Sequence, residues 1–469
     1  MSVAPSDAPP RRLRLEGIHR SRHALTVRYA VDDLRFSTSY WYAGVDLPRL
    51  EARYGAAFME KVYFHIAAFE FNGAVTLRPR TVDLGPWKHL HTPAFEELWR
   101  TVARHAFAQW RYEHDLPDYT GPAFTSRPAG PGAGPVTTGG GREVLLFCGG
   151  GKDSLATLKL LRHGGVPHGT FVYSHSVYGT AGPQHALADR LIDHGAPEHR
   201  HRAWIQADFL DSPVARLYPE LGVDGLAVAE TPASVFAAVP LLLAHGYRHL
   251  VVGHERGANT ANLVWRAAGE EVNHQWGKSR AAQLMLDAYL RAELVADAGY
   301  FSLLEPLHDA VIVGLLRDEL HALPTAHSCN VRKPWCRRCA KCAYVWLTYL
   351  AYLPREAVEP IFGENLFDVE ENQVWFRQML GLDEHSPFEC VGEIGEARLA
   401  FELCRRKGCT GRAVDLYTER VPRPDVAALA DRYLRVDTAG TTIPEHVLRC
   451  VVPQMTAAAA AMRRSLGEL

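Results

Sequence analysis

Over residues 12–45 the chain alternates apolar and polar positions in short runs, "LRLEGI" and "ALTVRYAV". That period of two predicts strands of an antiparallel sheet. Residues 94–114, "AFEELWRTVARHAFAQWRYEH", change to helical spacing. The stretch 125–143, "TSRPAGPGAGPVTTGGGRE", is too rich in Gly, Pro and Thr to hold a packed element and reads as an interdomain linker. Beyond it, apolar runs alternate with helical ones: "VLLFC", a helix opening at Ser154, "GTFVYSH", "HALADRLIDHG", "AWIQADF", "ASVFAAVPLLLAHGY" and "HLVVGH". This alternation predicts a parallel sheet with crossover helices. Past about residue 308 the pattern is mainly helical, and "MTAAAAAMRR" predicts a surface helix. The expected organisation is an N-terminal α+β domain over 1–124, a linker over 125–142, a parallel-sheet domain over 143–325 and a mainly helical region over 326–469.

Composition narrows the class without naming it. The chain has 469 residues, 47% of them hydrophobic and 22% charged, which is ordinary for a globular protein of two or three domains. A formal charge of −2 gives no global attraction to nucleic acid or a membrane surface, so neither partner is expected. The opening "MSVAPSDAPPRRLRL" is Pro-rich and basic with no apolar leader core behind it, and a soluble cytoplasmic protein is expected. Nothing in the composition supports a lipid-binding or structural role. Oligomeric state is not legible at this level.

The first chemical signal is "EVLLFCGGGKDSLATLKLLRHGG", residues 143–165. Val144 to Cys148 suits a buried parallel strand, Gly149, Gly150 and Gly151 let the backbone turn with its N–H groups unshielded, and Leu155, Leu158 and Leu161 continue at helical spacing. A strand, a glycine loop and a helix N-terminus in sequence make an anion site. Lys152 adds charge, Ser154 a hydroxyl, and Asp153 a ligand for Mg²⁺. The spacing is neither that of a Walker A loop nor that of a dinucleotide-binding fingerprint. A capped glycine turn without a ligand is the bland alternative.

Nine cysteines include four in "SCNVRKPWCRRCAKCAYVW": Cys329, Cys336, Cys339 and Cys342, in the order C-x6-C-x2-C-x2-C. Four thiols this close suit structural Zn²⁺ in a reducing compartment, with an iron–sulfur cluster as the runner-up and unligated cysteines as the bland reading. Arg332, Lys333, Arg337, Arg338 and Lys341 crowd the same segment. Charge balance around a thiolate site accounts for them slightly better than a pocket for a phosphorylated substrate.

A third signal follows the apolar run before Gly253, where open α/β folds place ligands at the carboxyl edge of the sheet. His254, Glu255, Asn259 and Asn262 lie there, and "NHQWGKS" adds Asn273, His274, Gln275 and Lys278 ahead of a helix. Solvated loop polarity explains any one of them equally well.

"GGGKDS" on a strand-to-helix turn resembles the Ser-Gly-Gly-x-Asp-Ser signature of the PP-loop ATP pyrophosphatases, with Gly149 in place of the first serine. That resemblance implies an adenine nucleotide alpha-hydrolase-like fold and cleavage of ATP to AMP and pyrophosphate. Taken with "GHERGANTANL", "NHQWGKS", the cysteine cluster and "SPFECVG" (386–392), it looks like the bacterial ATP-dependent UDP-N-acetylmuramoyl-L-alanyl-L-glutamate epimerase family, over most of residues 15–450. The family implies inversion of the terminal L-glutamate of UDP-N-acetylmuramoyl-L-Ala-L-Glu to D-glutamate in peptidoglycan precursor synthesis. On that expectation Gly149 to Gly151, Lys152, Asp153, Ser154 and Asn259 bind the nucleotide, and His274, Lys278, His254, Glu255 and Cys390 are the proton carriers to test. Other expectations are an epimerase of a different peptide in secondary metabolism, a 7-cyano-7-deazaguanine synthase or tRNA thiolase, and a non-enzymatic adenine-nucleotide sensor. Trp41, Tyr42 and Trp87 are candidates for the uridine and sugar, or are core aromatics.

Overall fold

Val144, Leu145 and Leu146 are apolar in succession because both faces of their strand are covered. The computed structural model describes residues 11–130, 132–217 and 227–467. Among the described residues twelve strands run in chain order as β1 (Arg12–Arg20), β2 (Ala24–Val31), β3 (Leu34–Tyr42), β4 (Thr81–Asp83), β5 (Ala123–Phe124), β6 (Arg142–Phe147), β7 (His168–His175), β8 (His199–Ala207), β9 (Tyr247–Val252), β10 (Leu263–Trp265), β11 (Glu270–Val272) and β12 (Gly299–Ser302). All but the β10–β11 hairpin join one ten-stranded, mostly parallel sheet, ordered β12-β9-β6-β7-β8-β3-β2-β1-β4-β5.

The parallel block β12-β9-β6-β7-β8 is doubly wound: the chain moves from β6 through β7 to β8, then returns to β9 and β12 on the far side of β6. Val144, Leu146, Val172, Val251 and Phe301 pack one face of it against the helix Lys152–His163 and the C-terminal helices. Leu145, Phe171, Leu250, Val252 and Tyr300 pack the other face with the helices Ala56–Glu70 and Glu230–His245. The result is a three-layer α/β/α body.

β1 to β3 are antiparallel, as the alternating pattern predicts. They extend the same sheet, because β3 pairs antiparallel with β8 and places Trp41 opposite Trp204. Leu13, Leu15, Val27, Tyr29 and Tyr40 therefore share their core with Leu145 and Phe171. The glycine- and proline-rich segment between these parts is held at Ala133, Val136 and Thr138. Lys61 Nζ donates to the Ala133 carbonyl at 3.0 Å, Val136 bridges Val295, and the Asp297 carboxylate accepts from Thr138 N at 2.8 Å and Thr138 Oγ1 at 3.0 Å.

The C-terminal part is helical as expected. The tail forms one long helix, Glu445–Gly467, whose Val447, Val451, Met455, Ala459 and Met462 are buried at near-fourfold spacing. It is a docked helix and not the surface helix its alanines suggest. Met462 packs against Gly314, where a Cβ would stand 2.6 Å from its Cγ. Among the described residues no helix is long and apolar enough to cross a membrane.

Candidate active site

β6 and β9 are neighbours from which the chain leaves in opposite directions, so their carboxyl ends flank the crevice where doubly wound sheets bind ligands. A cleft of 300 Å³ lies there, lined on the β6 side by Gly149, Gly151, Asp153 and Ser154 and on the β9 side by Gly253 and His254. The helix Lys152–His163 begins at Gly151, which offers no side-chain cap of its own; Ser328 takes the Lys152 N–H. Its first-turn N–H groups are aimed where an anion would be stabilised.

The glycine loop is clamped from above. Gly150 has φ +85°, a backbone that L side chains rarely adopt, and its carbonyl accepts from His327 N at 2.8 Å. A Cβ on Gly150 would overlap the His327 ring, and one on Gly151 would lie 2.9 Å from Ser328 Oγ. Ser328 Oγ also accepts from Lys152 N at 3.2 Å. Burial pushes the His327 pKa down to about 4, so the ring is neutral in this contact.

Lys152 is fully buried and does not line the cleft. Its ammonium donates to Asp153 Oδ1 at 2.5 Å and to Asp309 Oδ1, an arrangement the loop alone gave no reason to expect. Burial works against the charge, but Asp153 and Asp309 outweigh it and hold the Lys152 pKa far above its ordinary value. Glu255 stands behind the loop, buried, with its pKa raised by burial and by Asp309 and Asp153.

Positive charge in the cleft comes from elsewhere. Lys278, Lys333 and Lys341 all line it. Lys278 Nζ donates to Cys390 Sγ at 2.7 Å, Lys333 Nζ to the His327 carbonyl at 3.0 Å, and Lys341 Nζ to the Cys390 carbonyl. Among the described residues the lysines in carboxylate ion pairs are Lys61, Lys152 and Lys159, so Lys278, Lys333 and Lys341 reach the cleft without such a partner. The pocket reading of Lys333 and Lys341 thus fits their placement better than the charge-balance reading favoured by sequence. Arg337 and Arg338 do act locally, on Glu364.

The cysteine segment delivers two of those lysines. Cys329, Cys336, Cys339 and Cys342 place their sulfurs within 4.8 Å of one another, with Cys329–Cys339 and Cys336–Cys342 both at 3.8 Å. A tetrahedral zinc with bonds of about 2.3 Å needs sulfur separations of about 3.8 Å, so the four thiols fit such an ion. Backbone N–H groups of Val331 and Arg332 point at Cys329 Sγ at 3.4 Å, and that of Arg337 at Cys342 Sγ at 3.3 Å, as stabilised thiolates require. Between the cysteines and the glycine loop stand His327, Ser328 and Asn330, all lining the cleft.

Cys390 also lines the cleft. Burial raises its thiol above the ordinary value, with Lys278 and Lys341 pulling against that rise. Lys278, conversely, is held above its ordinary pKa because Cys390, Glu255 and Glu389 outweigh the cost of its burial. His274 stands behind this pair with Glu389, the three ligand atoms of His274, Glu389 and Cys390 lying within 4.8 Å. Asn330 Nδ2 donates to Glu389 Oε1 at 3.0 Å and Gln109 takes His274 Nδ1 at 2.5 Å, so the group is hydrogen-bonded throughout. Burial pushes the His254 pKa down to about 3.

Of the residues expected from sequence, Gly149, Gly151, Asp153, Ser154, His254, Lys278 and Cys390 meet in the cleft, with Gly150 and Lys152 beneath it and Glu255 and His274 behind. Asn259 does not join them; it lines a separate cleft with Arg256 and Arg280 and accepts from Arg280 N at 2.8 Å. Trp41 is 53% exposed, whereas Tyr42 is core and donates to the Ala237 carbonyl. Sequence reasoning missed Asp309, Tyr178 and Glu230. Asp309 and Glu230 each open an apolar helix and look like ordinary first-turn acids.

Two stretches of the chain match MurL domains. Residues 231–303 match the family model of the MurL N-terminal domain, and residues 325–425 that of the MurL C-terminal domain. The first contains His254, Glu255, His274 and Lys278, the second the four cysteines and Cys390; the glycine loop lies outside both. The chain is 32% identical over 266 residues to a UDP-N-acetyl-alpha-D-muramoyl-L-alanyl-L-glutamate epimerase of a Micromonospora species, covering 55% of this chain and 56% of that one. It is 29% identical over 320 residues to the protein of the same name from Salinispora tropica, covering 66% of each, and 29% identical over 275 residues to that from Xanthomonas oryzae pv. oryzae, covering 56% of each. The alignments thus span between 56% and 66% of these relatives' own length. No solved structure matches the chain.

Proposed function

We propose that this protein is an ATP-dependent epimerase of the MurL type, a PP-loop enzyme that adenylates the terminal glutamate of UDP-N-acetylmuramoyl-L-Ala-L-Glu and inverts it to D-glutamate for peptidoglycan precursor synthesis in the cytoplasm. The observation that carries the reading is one cleft holding both halves of the chemistry: a helix N-terminus that lacks a cap from its own Gly151, with three lysines free of carboxylate ion pairs, and a cysteine paired with one of those lysines. The names of the matched relatives supply the substrate and the reaction class.

A carboxylate resists loss of its α-proton because a dianion would form, whereas an acyl-adenylate has an acidic α-carbon. Adenylation therefore comes first. The N–H groups of Gly149 to Gly151 and Ser154, with Lys333 and Lys341, hold the triphosphate, and Lys152 acts from beneath by fixing Asp153. Asp153 keeps a carboxylate face on the cleft, an oxygen ligand of the type Mg²⁺ takes, and a bound Mg²⁺ would neutralise phosphate charge. The glutamate α-carboxylate attacks the α-phosphorus and pyrophosphate leaves. Cys390, beside the Lys278 ammonium that favours its thiolate against the burial that raises its pKa, removes the α-proton, a second group returns one to the opposite face, and water releases AMP. The four cysteines would hold Zn²⁺ as a brace for the segment over the glycine loop.

The test is incubation of the purified protein with ATP, Mg²⁺ and UDP-N-acetylmuramoyl-L-Ala-L-Glu, with chiral analysis of the glutamate and assay of pyrophosphate. D-glutamate with equimolar AMP and pyrophosphate is expected. Pyrophosphate from a different carboxylate alone would move the protein to another PP-loop reaction, and ATP binding without turnover would make it a nucleotide sensor.

A further inference from the structure

A sheet face that meets water carries polar side chains at alternate positions. The open face of β8 and β3 keeps that rule with Arg200, Arg202 and Gln206 on one strand and Arg35, Ser37 and Ser39 on the other. It breaks the rule at one place. Trp204 and Trp41 lie on that face as a cross-strand pair, and Trp41 is exposed. One exposed indole is ordinary, but two at a single paired position leave a large apolar area in water that polar residues would not.

The two rings do not cover each other. Among the described residues Trp204 meets the His185 ring edge-on, with centroids 6.3 Å apart, and Trp41 meets no ring. Paired β-carbons stand about 5 Å apart, so the indoles lean away from one another. Both line a cavity of 370 Å³, with His185 and Arg202. The register ties this cavity to the active site. Ser174 lines the catalytic cleft and is in register with Trp204, as Trp204 is with Trp41, so the three share one sheet face at one level. Two strand spacings of about 4.8 Å put Trp41 about 10 Å from the cleft wall. The helix Ala181–Ile192 forms the ridge between the two spaces: Gln184 lines the cleft and His185, the next residue, the cavity.

We propose that this cavity is the uracil subsite of the substrate, with the base held between Trp41 and Trp204 while the glutamate reacts in the cleft. The inference rests on the epimerase reading for the identity of the ligand. An extended dipeptide reaches about 7 Å, so a glutamate in the cleft carries the muramoyl sugar and the diphosphate over the ridge and sets the base beyond it. A flat base suits a slot between two indoles, because every base has a π-face to stack. Arg202 has one nitrogen on Asp189 Oδ1 at 2.9 Å and keeps further N–H donors for the phosphate beside the base. The contact is the same in ground and transition states, so it governs affinity for the UDP-linked substrate and not the chemical step.

Two measurements on the full chain separate this site from the reaction. With the nucleotide cleft filled by a non-hydrolysable ATP analogue and Mg²⁺, calorimetric titration with UDP should show one site in the parent. Trp41→Ala, with Trp204→Leu as a second variant, should weaken it by about 5–150-fold, the range for a lost base stack. In turnover, the ratio of kcat/KM for UDP-N-acetylmuramoyl-L-Ala-L-Glu to that for N-acetylmuramoyl-L-Ala-L-Glu should fall by the same factor, through KM. UDP that does not bind the parent, or that binds Trp41→Ala within twofold of the parent, overturns the assignment. An equal fall of kcat/KM for both substrates also overturns it, by placing the sugar on the indoles. UDP binding that needs Trp41 in a parent that inverts no glutamate would overturn the epimerase reading and leave a uridine nucleotide site standing, so the two failures are distinguishable.

Discussion

Gly150→Ala tests whether the glycine loop is held by the segment above it. At φ +85° an alanine carries the strain of left-handed backbone, about 1–2 kcal/mol. Its methyl also overlaps the His327 ring, which cannot move freely because its backbone N–H holds the Gly150 carbonyl at 2.8 Å and its Nδ1 the Thr325 carbonyl at 3.0 Å. Overpacking of this kind costs about 1–3 kcal/mol. Together they predict a loss of about 2–5 kcal/mol, shared between unfolding free energy and ATP affinity, where each 1.4 kcal/mol in affinity is about tenfold in Kd. Urea unfolding and calorimetric titration with ATP and Mg²⁺ measure the two shares. Gly151→Ala, where the nearest atom is the movable Ser328 Oγ at 2.9 Å and φ is ordinary, should cost distinctly less. His327→Ala placed on Gly150→Ala should recover the overlap but not the backbone strain, so a double-mutant cycle should show coupling of about 1–3 kcal/mol. Gly150→Ala with stability and Kd unchanged, or a cycle with no coupling, would refute the clamp.

Removing metal by chelation, or Cys339→Ser, should abolish high-affinity ATP binding while leaving the far-UV circular dichroism largely native, because the cysteine segment carries Lys333, Lys341 and His327 to the cleft; unchanged ATP affinity in metal-free protein would count against the brace. Lys333→Met and Lys341→Met should each weaken ATP binding by about 1.5–3 kcal/mol, roughly 10–150-fold, with Lys159→Met, two turns along the helix on Leu315 and Asp318, as a control near parent affinity. Stability should fall as pH drops below about 6.5. His65, His308 and His327, with the half-buried His254, have pKa values pushed down to about 3, 4, 4 and 3, so the unfolded chain binds protons that the fold does not. Each lowers unfolding free energy by up to about 1.4 kcal/mol per pH unit between its unfolded pKa and its folded one. Denaturation at pH 7, 6 and 5 gives the slope, and a flat profile would show that these rings are protonated in the fold.

Local order was legible because it rests on local physics. The alternating residues of β1 to β3, the unbroken apolar runs of β6 and β9, the turn at Gly149 to Gly151 and the four spaced cysteines declare themselves through periods and spacings that need no partner. The tertiary structure decided what those elements face. That β3 pairs with β8, so that the N-terminal strands and the parallel strands share one sheet, depends on an edge no local pattern records. Lys152 sits on the phosphate-binding motif, yet its charge is spent on Asp309, a residue 157 positions away that reads as a helix-opening acid. Lys333 and Lys341 look like counterions for thiolates until the fold of the cysteine segment turns them into the cleft. Tyr178 and Glu230 carry no motif, and they meet in the cleft through a 3.1 Å hydrogen bond between residues 52 positions apart. The sequence specified which chemistry was on offer at each point along the chain. Which groups are charged, paired or open to a ligand was settled by burial and long-range contact, because charge and pKa belong to an environment and not to a residue type.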